Sequence, residues 1–198
     1  MRDLVVATKN AKKLRELRRY LKGVKANVVS LSELDRAIRI VENGSTFKAN
    51  AIKKAMAVSK ALGGLAIADD SGLEVAALKG GPGVKSARYA GPKKRDFDNN
   101  LKVLKLLKDI PDAKRCARFV CAVAIVDNRR VVKVIEGYCP GRIAHEMCGH
   151  HGFGYDSLFL IPKYKKTFGQ LGLKVKDRMS HRSKALKKVR EFLRRYLK

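Results

Sequence analysis

Leu65 to Val75 reads LAIADDSGLEV. Leu65, Ala66, Ile67 and Ala68 form a short apolar run of the kind a buried strand requires. Two adjacent carboxylates follow, Asp69 and Asp70, then Ser71 and Gly72, before apolar residues resume. Acids are scarce in this chain, with 18 Asp+Glu against 45 Lys+Arg. An acid at the C-terminal end of a buried strand stands where open α/β sheets form their ligand crevices. A single acid there serves equally well as a helix cap or as the partner of an arginine. Two in succession point to opposite sides if the strand continues, so one can face a ligand while the other faces the protein. A carboxylate facing a phosphate ligand can hold Mg²⁺ and can take a proton from an attacking water. Ser71 and Gly72 are compatible with a tight turn at this point.

Working outward, Leu4 to Thr8 reads as a first strand. A helix starts at Asn10, with Leu14, Leu17 and Leu21 at helical spacing, and stops at Gly23. Val24 to Leu31 follows as a strand and Thr46 to Leu62 as a helix, with Ala51, Ala55, Val58 and Leu62 on one face. Beyond the Gly/Pro loop at Lys79 to Gly83, Asp96 to Leu107 is helical. Ala117 to Asp127 and Val131 to Tyr138 form two long strands around a turn at Asp127 to Arg130. Phe159 to Pro162 is a short strand, and a last helix starts near Ser180, an N-cap residue. This order mixes βα crossovers with a hairpin, which predicts an α/β fold with a mixed sheet. At 198 residues the chain suits a single domain, residues 1–198, with a core large enough to need no disulfides.

The N-terminus MRDLVVATKN resembles neither a signal nor a transit peptide, and the longest apolar run, Phe119 to Val126, is too short to span a bilayer. A soluble, cytoplasmic protein is expected. Cys116, Cys121, Cys139 and Cys148 form no CxxC pair, which favours free thiols. Cys139, His145, Cys148, His150 and His151 cluster in sequence but fit no common zinc spacing; buried thiols and loop histidines are the alternative. The formal charge of +27 has two readings. One is attraction to polyanions such as nucleic acid, phosphorylated metabolites or a membrane surface; the other is a set of solvated helix faces.

Three further stretches carry chemistry. TKNAKKLRE, Thr8 to Glu16, passes from strand to helix within two residues. The N–H groups of such a helix start attract anions. Thr8 and Asn10 add donors, and Lys12 and Lys13 add charge; a capped basic helix is the plainer reading. GHHGFGYDSLF, Gly149 to Phe159, offers Phe153 and Tyr155 for stacking on a base and Asp156 as an acceptor. MSHRSKAL, Met179 to Leu186, places His181 and Arg182 in a first helical turn, where cations oppose the helix dipole unless an anion is near.

Taken in order, these stretches resemble the inosine triphosphate pyrophosphatase family of nucleotide house-cleaning enzymes. The matching motifs are T-x-N-x-x-K-x-x-E from Thr8, G-x-T-F-x-x-N-A from Gly44 and ADDSGLEV-x-AL-x-G-x-PGV-x-SARYAG from Ala68 to Gly91. ARF-x-C from Ala117, G-x-x-PG-x-I from Gly137, GFGYD from Gly152, KTF from Lys166 and SHR-x-x-AL from Ser180 complete the set. The resemblance implies an elongated mixed sheet flanked by helices, in two lobes with a central active-site cleft. It implies hydrolysis of ITP, dITP and XTP to the monophosphate and pyrophosphate with Mg²⁺, by a homodimer. Residue by residue, it assigns Thr8, Lys9, Asn10, Ala11, Lys12 and Lys13 to the triphosphate. Asp70 becomes the general base and a metal ligand, and Ser71 a substrate contact. Phe153, Gly154, Tyr155 and Asp156 form a wall against the base, and Lys176, His181 and Arg182 close over the purine. The family carries Glu where this chain has Ala49, which makes Glu42 the nearest candidate to assist Asp70 at the metal. His150, His151 and Ser157 are further departures around GFGYD, as are Gly169, Gln170, Val175 and Asp177 around the lysine motif. The alternative to the enzyme is a basic nucleic-acid-binding protein on the same scaffold, with weak or no hydrolase activity.

Overall fold

The computed structural model describes residues 1–8, 10–34, 38–93 and 95–198. Seven strands are hydrogen-bonded in the order β2-β1-β3-β4-β5-β6-β7. They are β1 Arg2–Val6, β2 Ala26–Ser30, β3 Leu65–Val75, β4 Cys116–Asp127, β5 Arg130–Ile143, β6 Phe159–Ile161 and β7 Lys166–Thr167. The helices are α1 Ala11–Leu21, α2 Phe47–Leu62, α3 Asp96–Leu106, α4 Phe168–Met179 and α5 His181–Tyr196. β1 is parallel to β2 and β3, whereas β6 is antiparallel to both β5 and β7, so the sheet is mixed as expected.

The chain folds as two compact units. The first comprises Met1–Asp70, Cys121–Gly137 and Arg182–Lys198. Its core joins Leu4, Val6, Leu65 and Ile67 of the sheet to Leu17 and Leu21 of α1 and to Leu186, Val189 and Leu193 of α5. The apolar spacing in both helices thus serves one sheet face. β4 and β5 meet at a two-residue turn in which Asn128 and Arg129 both have positive φ, 44° and 67°. Two such residues match the right-handed twist of a hairpin.

The second unit comprises Ser71–Val120 and Tyr138–His181. Leu73, Val75, Val103, Leu107, Phe119, Phe159 and Phe168 lie in its core. Arg115 is fully buried there and donates to the carbonyls of Leu107, Ile143 and Ala144, so its charge is dispersed over peptide dipoles.

Three expectations are corrected. β3 does not turn at Ser71–Gly72 but runs straight to Val75. Gly72 is present for close approach instead: a Cβ there would lie 2.3 Å from Ser86 Oγ and 2.8 Å from the Gly83 carbonyl. β5 runs past Tyr138 through Pro140 and Gly141 to pair Arg142 with Leu160 and Ile143 with Phe159. α4 has no counterpart in the sequence pattern, because Gly169 and Gly172 interrupt it; Gly172, at φ 71°, kinks the helix.

Gly141 gives a test of the β5–β6 packing. A Cβ there would stand 2.5 Å from Phe159 Cζ and 2.7 Å from the Leu160 carbonyl. Gly141→Ala is expected to cost about 1–3 kcal/mol, read as a lower urea midpoint with an unchanged slope. An unchanged midpoint would mean that this packing is loose.

Candidate active site

In the first unit the two acids of β3 separate by strand alternation. Asp69 shares its side of β3 with Leu65 and Ile67, the side covered by α1 and α5. Lys13 of α1 meets Asp69 Oδ2 at 2.9 Å, and Arg182 Nε of α5 stands 3.5 Å from the same oxygen. Arg182 Nη1 also donates to Glu16 Oε2 at 2.9 Å. Asp69 is 4 % exposed and Arg182 5 %, so this is a buried network of charge. Burial raises the Asp69 carboxyl, but Lys13, Arg182 and Lys54 outweigh it and hold the group well below the usual carboxylate range. Cys121 lies in the same core, where burial pushes its thiol up to about 12. It is inert at neutral pH.

Asp70 falls on the opposite side with Ala66 and Ala68, where α2 supplies its partners. Asn50 Nδ2 donates to Asp70 Oδ2 at 3.1 Å, and Lys54 Nζ donates to Asp70 Oδ1 at 3.1 Å. The Lys54 ammonium also reaches Glu42 Oε2 at 3.1 Å, so one cation bridges the two carboxylates. Burial lowers the affinity of Lys54 for its proton, and Asp70, Asp69 and Glu42 more than restore it, leaving the group raised. Asn50 is itself fixed, because its Oδ1 accepts from Gly44 N at 2.7 Å.

Asn50 and Lys54, four residues apart on α2, are functional candidates that the sequence pattern misses. A helix face with Ala51, Ala55 and Val58 reads as purely apolar, yet Asn50 and Lys54 are buried beside it. The available signal was a lysine one turn after the asparagine of the G-x-T-F-x-x-N-A motif.

The start of α1 is strongly capped. Asn10 Oδ1 accepts from Lys12 N at 3.0 Å and Lys13 N at 3.1 Å, and Thr8 Oγ1 accepts from Asn10 N at 3.2 Å. These bonds satisfy two N–H groups that an uncapped helix would offer to an anion. Ala11 and Lys12 are exposed, and Lys9 lies outside the described residues.

The second unit holds the aromatic loop. Phe153 N donates to Asp156 Oδ2 at 2.8 Å, and Lys176 of α4 makes a short ion pair with the same oxygen. The Lys176 ammonium stands 4.6 Å from the centroid of the Phe153 ring, a cation–π contact. Phe153, Asp156 and Lys176 therefore form one cluster. α3 clamps the loop: Gly154 N donates to Asp96 Oδ2 at 2.7 Å, and the Gly154 carbonyl accepts from Asn100 Nδ2 at 2.9 Å. Tyr155 does not join this wall. Its ring is in the core of the unit and its hydroxyl donates to the Ser86 carbonyl at 2.8 Å, so it anchors the loop from behind. His181 is buried with its ring stacked on Phe119, centroids 4.7 Å apart. Ser71 is half-buried, next along β3 after Asp70.

Asp70 and Glu42 are hard oxygen donors, both met here by the Lys54 ammonium, and are the residues that would hold Mg²⁺. Among the described residues no group of three His, Cys, Asp or Glu side chains is close enough to hold a metal alone. Of the loop histidines, His145 pairs with Asp112, and His150 packs on His151 with ring centroids 4.5 Å apart. No helix among the described residues is long and apolar enough to cross a membrane.

The acid limb of stability reports on the Asp69 network. A carboxylate whose folded pKa is depressed adds stability above its unfolded value, and that contribution fades as pH falls below about 4. Asp69→Asn is expected to cost about 3–5 kcal/mol at pH 7, by stranding Lys13 and leaving Arg182 with Glu16 alone, and to flatten the loss between about pH 4 and pH 2. Urea titrations at pH 7, 4 and 3 measure this; parallel acid limbs in variant and wild type would refute the assignment.

Comparison with known proteins bears on the whole chain. Residues 4–192 match the model of the Ham1 family. A dITP/XTP pyrophosphatase of Desulforamulus reducens is 50 % identical over 192 residues, covering 97 % of this chain and 96 % of the relative. One from Rhodopirellula baltica is 52 % identical over 188 residues, covering 94 % and 90 %. The solved structure of the Staphylococcus aureus Ham1 protein superposes with a TM-score of 0.90 at 40 % identity, covering 98 % of this chain and 100 % of that one.

Proposed function

Since this chain belongs to the Ham1 family, we propose that it hydrolyses non-canonical purine nucleoside triphosphates, ITP, dITP and XTP, to the monophosphate and pyrophosphate. It is a nucleoside-triphosphate pyrophosphatase that removes these nucleotides from the pool. The observation that carries the reading is the division of labour within the first unit. Asp69 is spent on Lys13 and Arg182, whereas Asp70 is held by Asn50 and Lys54 beside Glu42. An adjacent acid pair with one member committed to cations and the other set toward a second carboxylate suits metal-assisted phosphoryl chemistry better than simple polyanion binding.

In this reading Mg²⁺, held by Asp70 and Glu42, would neutralise phosphate charge and lower its repulsion of the nucleophile. Asp70 takes the proton from the water that attacks the α-phosphorus, and pyrophosphate leaves. Asn50 and Lys54 fix the carboxylate's orientation for that transfer, which is worth more than raw basicity when atoms must align. Lys13, with Thr8, Lys9, Asn10, Ala11 and Lys12, meets the triphosphate, and Ser71 contacts the substrate. The pair with Asp69 keeps the Lys13 side chain in place. Lys13 then stabilises charge growing on the leaving group.

In the second unit Phe153 offers its ring to the base, while Gly154 and Asp156 shape the loop around it. Tyr155 supports that loop from the core. Lys176 and His181 donate to the 6-oxygen of the purine, whereas Arg182 serves the Asp69 network of the first unit. An adenine amine at that position leaves these donors unpaired, and such a mismatch costs on the order of 10⁴-fold in rate. The same reading makes the protein a cytoplasmic homodimer that uses Mg²⁺.

Pyrophosphate release from ITP, XTP, GTP and ATP, with Mg²⁺ and then with EDTA, tests the function. Rapid release from ITP and XTP, slow release from GTP and ATP, and loss of all release in EDTA are expected. No release from any of the four by folded protein would overturn the reading.

A further inference from the structure

α5 carries exposed basic residues that the hydrolase reaction does not use. α5 has seven exposed residues, of which Lys184, Lys187, Lys188, Arg194 and Arg195 are cationic and only Glu191 is acidic. Lys187, Arg190 and Arg194 fall at i, i+3 and i+7, so they share one flank of the helix. That flank meets the end of α1. A Cβ built on Gly23, just past α1, would lie 3.3 Å from Arg194 Nη2 and 3.8 Å from Arg190 Nη2. Exposed Lys22 and Lys25 border the same glycine in sequence.

Two guanidinium groups are thus gathered at one backbone position. The partial negative charge at the C-terminal end of α1 accounts for part of their attraction to it. It leaves the rest of their charge uncompensated. Among the described residues, none of Lys22, Lys25, Lys187, Arg190 and Arg194 has a carboxylate within ion-pair distance, and Arg190 Nε is buried without an acceptor. Some other cations of this unit do find acids: Arg18 pairs with Glu33, Arg2 with Asp127 and Lys54 with Asp70.

We infer that this flank of α5, with the α1 end at Gly23, is a docking surface for the phosphodiester backbone of a nucleic acid, alongside the hydrolase activity. Three observations select that partner. Lys187 to Arg194 spans about 10 Å at about 1.5 Å per residue, too long for a single phosphate and about three axial steps of ~3.4 Å along one duplex strand. Arginine forks match phosphate oxygens in pairs. A helix that lies on a membrane needs a free apolar face, and the apolar face of α5 is buried: Leu186, Val189 and Leu193 are in the core. No base-reading group is present on this flank, so the binding is blind to sequence.

The test is fluorescence anisotropy with a labelled 20-bp DNA duplex and a 20-nucleotide RNA, from 50 to 200 mM KCl. It uses the full chain and three double variants. Arg190→Ala/Arg194→Ala is expected to weaken binding at least tenfold and to reduce the salt slope by about 2. Arg190→Lys/Arg194→Lys should retain most of the slope and keeps the test sound if the alanine variant folds poorly. Lys105→Ala/Lys108→Ala, which removes the same charge from the other unit, should change affinity less than twofold. ITP hydrolysis should be unchanged in all three, so failure here is separable from failure of the hydrolase reading. Equal weakening by the Arg190/Arg194 and Lys105/Lys108 alanine pairs would overturn the proposal in favour of diffuse charge. So would absence of binding at 50 mM KCl, tighter capture by phosphatidylserine vesicles than by either oligonucleotide, or displacement by polyglutamate as easily as by unlabelled duplex.

Discussion

The ionic network around Asp69 is the constraint on which the first unit depends. A carboxylate with 4 % exposure in the middle of a sheet is tolerable only if its charge is met, and it is met from two directions in sequence. Lys13 comes from the first helix and Arg182 from the last. One buried acid therefore ties together segments that are 169 positions apart, and it does so next to the apolar core that packs the same two helices. Breaking such a network costs more than forming it gains, because each partner left behind is a charge without water.

Strand alternation then does the chemical work. Because β3 continues through Asp70, that residue must turn away from the Asp69 network toward α2. α2 is ready for it, with Asn50 and Lys54 one turn apart and both buried. A turn at Ser71–Gly72 would have left the second acid without this fixed orientation. Gly72 gives Ser86 room to approach the strand, and Ser86 in turn accepts from Leu73 N and supplies the carbonyl that holds Tyr155. The geometry of the acid pair and the support of the aromatic loop thus trace to neighbouring residues of one strand.

Much of this was legible in the sequence, and the gaps have physical causes. The buried run Leu65–Ala68, the capped start of α1 and the hairpin at Asp127–Arg130 are local patterns, and local patterns survive folding. The ordered motifs pointed to the family that the full-length comparisons show. Polar residues on a buried helix face were not legible, since Asn50 and Lys54 acquire meaning only when β3 brings Asp70 to them. Tyr155 looked like a base-facing aromatic because a Gly-rich loop gives no hint of which side chains turn inward. α4 was hidden by its two glycines, although its Thr167–Gln170 capping box was in plain view.

The central claim is that the two acids have different jobs, Asp69 holding the unit together and Asp70 acting on water. Single-turnover hydrolysis of ITP by Asp70→Asn, with its urea midpoint measured on the same sample, tests that claim most directly. The expected result is a rate reduced by at least about 10³-fold, since an amide keeps the shape but cannot take the proton, with a smaller loss of midpoint than in Asp69→Asn, since Lys54 keeps Glu42. Substantial turnover by a well-folded Asp70→Asn protein would contradict it and place the base elsewhere.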